Sequence, residues 1–178
     1  QGARYHQTRQ GGDFHTDNMQ VRTAPLYLGL SCVASALLGG ESILVSGHTV
    51  HELLTNVPHD LETLREPFLW EQRGVSGVYE APLISYDAHG EPHFRYQRAY
   101  LEAAHEKAGR PLTARQVSAL NTLDAIFELS AVQFRATLTA GQMVVFNDTQ
   151  IFHARTPFID HNEAMEDYDF DVEPGNRL

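Results

Sequence analysis

Cysteine is nearly absent: Cys32 stands alone in 178 residues. A disulfide within the chain is therefore excluded, and a reducing, cytoplasmic setting is the simplest fit. Cys32 lies in the apolar stretch 28–33 and reads as a small buried side chain. Long hydrophobic runs are missing as well. The longest candidate, 24–38, is broken by Ser and Gly, whereas a membrane span needs roughly 18 to 20 apolar residues. No membrane partner is expected. Basic residues are also scarce, with 13 Lys and Arg against 23 Asp and Glu and a net charge of −10. A nucleic-acid partner is not expected, because binding a phosphate backbone needs clustered cations. The first residue is Gln, and no charged-then-apolar leader follows it, as in a processed product or an excerpt of a longer chain.

What remains is enough for one packed core. Hydrophobic residues make up 42%, above a disordered composition, and a single domain is expected over 1–178. Residues 1–23 read as loop with a short strand. The stretch 26–33 reads as a buried strand, Gly39-Gly40 as a turn and 42–45 as a second strand. Helices are expected over 49–54 and about 60–70, the latter from Leu61, Leu64, Phe68 and Leu69 near helical spacing. Residues 74–98 alternate like strands around a turn at 87–90. Thr113 suits the N-cap of a long helix carrying Val117, Leu120, Leu123, Ile126, Phe127 and Leu129, running to about Ala136. A compact strand at 143–146 stops at Asn147-Asp148, and the apolar pair Ile151-Phe152 follows. The acidic stretch 160–172 reads as a solvated loop.

Chemistry concentrates in Gly11-Gly-Asp-Phe-His15-Thr-Asp17-Asn18. On an extended strand, residues two apart share a face, so one imidazole and one carboxylate converge. A third ligand from a distant strand would complete a facial triad, which leaves three open positions on an octahedral metal. His153, just beyond the 143–146 strand, is the candidate. His-x-Asp alone is common, and His15 could equally be a surface histidine and His153 a satisfied core histidine. His48 and His51 form another possible pair, but the pattern is not His-Glu-x-x-His. The acidic run lacks the spacing and glycine of a calcium loop. Phe14 and Phe152 read as packing residues beside the candidate ligands, and Trp70 as core or lid.

Four blocks in order carry a resemblance: His15-Thr-Asp17, Gly39-Gly-Glu-Ser42, Asn147 through His153-Ala-Arg155, and Asn176-Arg177-Leu178. Together they resemble the taurine and 2,4-dichlorophenoxyacetate dioxygenases, within the clavaminate synthase-like group. The resemblance implies a mainly β fold with flanking helices: a double-stranded β-helix, or jelly roll, incomplete at both termini. It implies Fe(II) held by His15, Asp17 and His153, with 2-oxoglutarate and O2 as co-substrates. Ser42 and Arg177 would bind the distal carboxylate of 2-oxoglutarate, a task suited to a guanidinium fork. Asn18, Met19, Gln20 and Arg155 would line the substrate pocket, and 48–110 would form a lid or insert. The stretch from His153 to Arg177 is longer than the family's usual spacing, and the acidic loop reads as an insertion within it. Related halogenases carry a small residue in place of the carboxylate, so Asp17 points to hydroxylation, desaturation or another oxidation. The implied substrate is a small carboxylate or amino-acid-like molecule, and no oligomeric state is implied. Two other readings stay open: a non-catalytic metal-binding relative and a zinc hydrolase built on the same three residues.

Overall fold

The structure, a computed structural model, describes residues 9–17, 21, 25–71 and 77–161. Its centre is a four-stranded antiparallel sheet. In spatial order the strands are β1 (Gly12–His15), β11 (Ile151–Arg155), β4 (Ser42–Ser46) and β9 (Gln133–Ala136). A second antiparallel pair joins β2 (Tyr27–Ser31) to β10 (Met143–Asn147). Going along the chain, β1, β2 and β4 switch from one sheet to the other and back. The run β9, β10 and β11 does the same. Two such excursions, antiparallel to each other, make the double-stranded β-helix, or jelly roll.

Period-two alternation divides the labour of the four-stranded sheet. Phe152 lies opposite Val45 and both are fully buried on the helical side, while His153 and Arg155, opposite Leu44 and Ser42, belong to the other face. On the helical side Phe152 packs against Phe127 and Phe94, with ring centroids 4.7 and 4.9 Å away. Burying one such aromatic stabilises the fold by about 1.5–3 kcal/mol. Phe14 stacks on Phe127 at 4.9 Å, so the packing roles read for Phe14 and Phe152 hold.

The helical layer contains α1 (Gly47–Leu54), α2 (Pro58–Leu64), α3 (Arg98–Lys107) and α4 (Ala114–Phe127). Thr113 caps α4 in a capping box with Gln116, satisfying two otherwise orphaned donors. Two expected helices end earlier than their apolar spacing suggests. The helix expected over 60–70 stops at Leu64, and 67–71 forms β5 (Pro67–Glu71), paired with β6 (Val78–Pro82). Pro67 supplies no N–H to continue the helix. Phe68, Leu69 and Trp70 are buried in succession, a run that periodicity cannot assign to strand or helix. Trp70 is a core residue, with Nε1 donating to the Ala81 carbonyl at 3.0 Å. Likewise α4 stops at Phe127, and 133–136 becomes β9 after a short 3-10 turn at Ser130–Val132. The helix α3 was not anticipated, because in RAYLEAAHEK the buried positions are Leu101, Ala104 and His105, with only one large aliphatic side chain among them.

The expected turn at 87–90 joins β7 (Ile84–Tyr86) to β8 (Pro92–Phe94). Strand β2 is not buried as expected: Tyr27, Gly29 and Ser31 are exposed and only its alternate residues are partly covered. At Gly39 φ is +72°, and an added Cβ would lie 2.0 Å from the Pro157 carbonyl oxygen. Only glycine allows β3 (Leu38–Gly39) to pair this closely with β12 (Phe158–Ile159).

Candidate metal centre

His15 closes β1, and His153 occupies the middle of β11. They are direct cross-strand partners, with ring centroids 4.1 Å apart. Asp17 stands two residues beyond β1, in a bend. Strand alternation therefore does not by itself bring His15 and Asp17 together. The chain leaves the strand because Tyr96 captures Thr16: the Thr16 N–H donates to the Tyr96 carbonyl at 2.8 Å, and the Tyr96 N–H donates to Thr16 Oγ1 at 3.0 Å. The bend carries the carboxylate back towards the sheet. Asp17 Oδ1 is 3.5 Å from His15 Nε2 and 4.0 Å from His153 Nε2. The three potential ligand atoms all lie within 4.8 Å of one another. Among the described residues no other set of three His, Cys, Asp or Glu converges in this way.

The outer atoms of the triad are also oriented. His15 Nδ1 is 2.8 Å from the Asp13 carbonyl oxygen. Facing a carbonyl, that nitrogen carries a proton and donates it, so Nε2 is the ring atom left to face the triad. Asp148 Oδ1 accepts the Asp17 backbone N–H at 3.0 Å. Burial, reinforced by nearby His15, pulls the His153 pKa well below its ordinary value against the opposing charge of Asp17. The ring is neutral at pH 7, the form that binds a metal. Burial pushes the Asp148 carboxyl up to about 6, opposed by the Asp17 N–H bond. The donor set suits iron(II): two imidazoles and one carboxylate on one face leave the remaining positions open.

A cavity of about 540 Å³ opens onto the triad. Ser42 and Arg155 line it beside apolar Leu30, Leu138 and Phe158, and the Arg155 guanidinium lies over the Phe158 ring at 4.7 Å. Cys32 forms part of this wall and is half-buried. The expectation of a buried packing cysteine is thus corrected, because β2 forms a wall of the cavity and not of the helical core. A smaller cavity of about 160 Å³ meets the site at Asp17 and is lined by Ser85, His93, Arg95, Asp148 and Thr149. Ser85, His93 and Arg95 did not stand out in the sequence, while Asp148 and Thr149 fall in the block 147–155 without any role being read for them individually. His48 and His51 do not act as a pair: His48 Nε2 faces Glu91 at 3.5 Å, and His51 Nε2 bonds the Tyr86 hydroxyl at 2.7 Å. Asn18, Met19, Gln20 and Arg177 lie outside the described residues, as does nearly all of the acidic stretch 160–172.

Comparison with known proteins places this fold among solved structures and in a family. A taurine hydroxylase-like protein of Stachybotrys chartarum is 30% identical over 155 residues, covering 82% of this chain and 37% of that protein. An asparagine oxygenase, solved with Fe(II), 2S,3S-3-hydroxyasparagine and succinate, superposes with a TM-score of 0.68 at 21% identity, covering 87% of this chain and 47% of that one. A taurine dioxygenase from Burkholderia xenovorans superposes with a TM-score of 0.63 at 19% identity, covering 88% and 54%. The two superpositions establish a shared fold. The chain spans about half the length of these solved relatives, and less of the first. The model of the family described as "Taurine catabolism dioxygenase TauD, TfdA family" matches residues 1–166, and the chain belongs to that family.

Proposed function

We propose that the chain is a single catalytic domain, 1–178, of an Fe(II)- and 2-oxoglutarate-dependent dioxygenase. The observation that carries this reading is the convergence of His15, Asp17 and His153 within 4.8 Å at the mouth of a cavity. Bound there, iron with 2-oxoglutarate and O2 supplies the oxidation of an unactivated C–H bond, most simply a hydroxylation, with release of succinate and CO2.

The chain's own residues prepare the site. His15 and His153 both turn Nε2 toward Asp17, and the Asp13 carbonyl accepts the Nδ1–H of His15. The bend after β1, held by Tyr96, aims the Asp17 carboxylate. Ser42, in the cavity wall, offers a hydroxyl to the distal carboxylate of 2-oxoglutarate. Arg177 is assigned to the same carboxylate by the family motif. Arg155, Asn18, Met19 and Gln20 are assigned to the substrate side, and 48–110 to a lid or insert shaping that pocket. In the sequence the acidic stretch 160–172 lies between His153 and Arg177. The substrate is a small carboxylate or amino-acid-like molecule, and the setting is cytoplasmic. Among the described residues no helix is long and apolar enough to cross a membrane.

Anaerobic addition of Fe(II) and then 2-oxoglutarate tests the reading. A weak visible band from the chelated oxoacid supports it, and bound iron without that band refutes the 2-oxoglutarate assignment.

A further inference from the structure

The carboxylate of Asp148 serves two members of the triad by different routes. Its side chain is buried, with the residue only 1% exposed. Its backbone N–H donates to the Leu26 carbonyl at 2.9 Å, tying the loop after β10 to the start of β2. Oδ1 accepts the Asp17 backbone N–H at 3.0 Å, and the same oxygen stands 3.9 Å from His153 Nδ1. Oδ2 and His153 Nδ1 are both buried and have no hydrogen-bond partner among the described residues. The pair is thus close and complementary but not joined. By contrast, His15 Nδ1 already has its acceptor in the Asp13 carbonyl.

We infer that Asp148 is a positioning residue for the metal centre, accepting the Nδ1–H of His153 while Nε2 of that ring faces the metal. The inference rests on the metal-centre reading above. An imidazole that binds metal through Nε2 keeps its proton on Nδ1, and that buried N–H requires an acceptor. Closing the gap by about 1 Å brings the pair to ordinary hydrogen-bond distance. The carboxylate then raises the basicity of the ring and fixes its plane, while its bond to the Asp17 N–H holds the second ligand in register. One side chain therefore couples ligands from opposite ends of the described chain.

The test uses the full protein loaded with Co(II), with Fe(II) titrations in parallel. Asp148→Asn keeps the shape and an oxygen for the Asp17 N–H but removes the negative charge, and Asp148→Ala removes both. Loss of such an outer partner typically lowers metal affinity about 10- to 100-fold, with Asp148→Asn at the lower end. In the Co(II) protein one exchangeable imidazole N–H resonance, that of His153, should exchange faster in Asp148→Ala, while that of His15 stays unchanged. The metal-free melting temperature of Asp148→Asn should match wild type. Wild-type affinity and unchanged N–H resonances in Asp148→Asn and Asp148→Ala overturn the inference. So does an affinity loss matched by an equal loss of fold stability. If Asp148→Ala does not fold, Asp148→Asn decides alone through its affinity. Failure of the wild type itself to bind metal refutes the metal centre instead, and loss of binding in His153→Ala confirms that the assay reports this site.

Discussion

His15 and His153 are direct partners across the β1–β11 pair, their rings 4.1 Å apart. The antiparallel register alone therefore brings together two imidazoles from opposite ends of the described chain. A slip of one residue would turn His153 to the helical face, where Phe152 now packs. The aromatic core behind the sheet thus sets the geometry in front of it.

Asp17 is the candidate ligand least held by the sheet, since it lies in the bend beyond β1. Asp17→Ala should lower Fe(II) affinity by at least about 10-fold, because one of three ligands is lost. The metal-free melting temperature should change by less than about 2 °C, since Asp17 is a half-buried cavity residue outside the hydrophobic core. Isothermal titration and thermal melts check both. Wild-type iron affinity in this variant would remove Asp17 from the triad.

Gly47 has no room for a side chain. An added Cβ would lie 2.5 Å from Phe94 Cε2 and 2.8 Å from the Gln150 carbonyl oxygen. Gly47→Ala should destabilise the protein by about 1–3 kcal/mol through overpacking, read as a lower midpoint in urea unfolding. An unchanged midpoint would mean that the α1–β8 contact yields freely.

Thr113 and Gln116 close the capping box of α4. Thr113→Ala should cost about 1 kcal/mol, again read by urea unfolding. Thr113→Ser should restore most of the loss, and its failure to do so would assign the effect to the methyl group.

His51 provides a pH test away from the metal centre. Burial, then the charges of His48 and Arg65, lower its pKa below 6.5. The folded state therefore favours neutral His51. Its contribution to stability is full above pH 6.5 and is lost as pH falls through the lowered folded value. His51→Gln should show a smaller fall in stability between pH 7 and pH 5 than wild type. Parallel curves for the two proteins would contradict this.

Much of the site was legible because its ligands sit in short patterned blocks. His15 ends β1, a short strand expected within 1–23, and Ser42 starts β4, which was read as a strand, whereas β11 around His153 was read only as the apolar pair Ile151-Phe152. Asp148 was not legible, because Asn147-Asp148 has the composition of any strand-ending turn and its role depends on contacts with Asp17 and His153. The helix boundaries failed where burial on all sides masked the period, as at Phe68, Leu69 and Trp70. The bend that aims Asp17 failed for a similar reason: it is made by Tyr96, a residue from a distant segment.

The most direct test of the central claim is visible absorption during anaerobic titration with Fe(II) and then 2-oxoglutarate, in wild type and His153→Ala. The triad predicts a weak band in wild type once both are present, and none in the variant. An equal band in both proteins, or no band in wild type with iron bound, would contradict it.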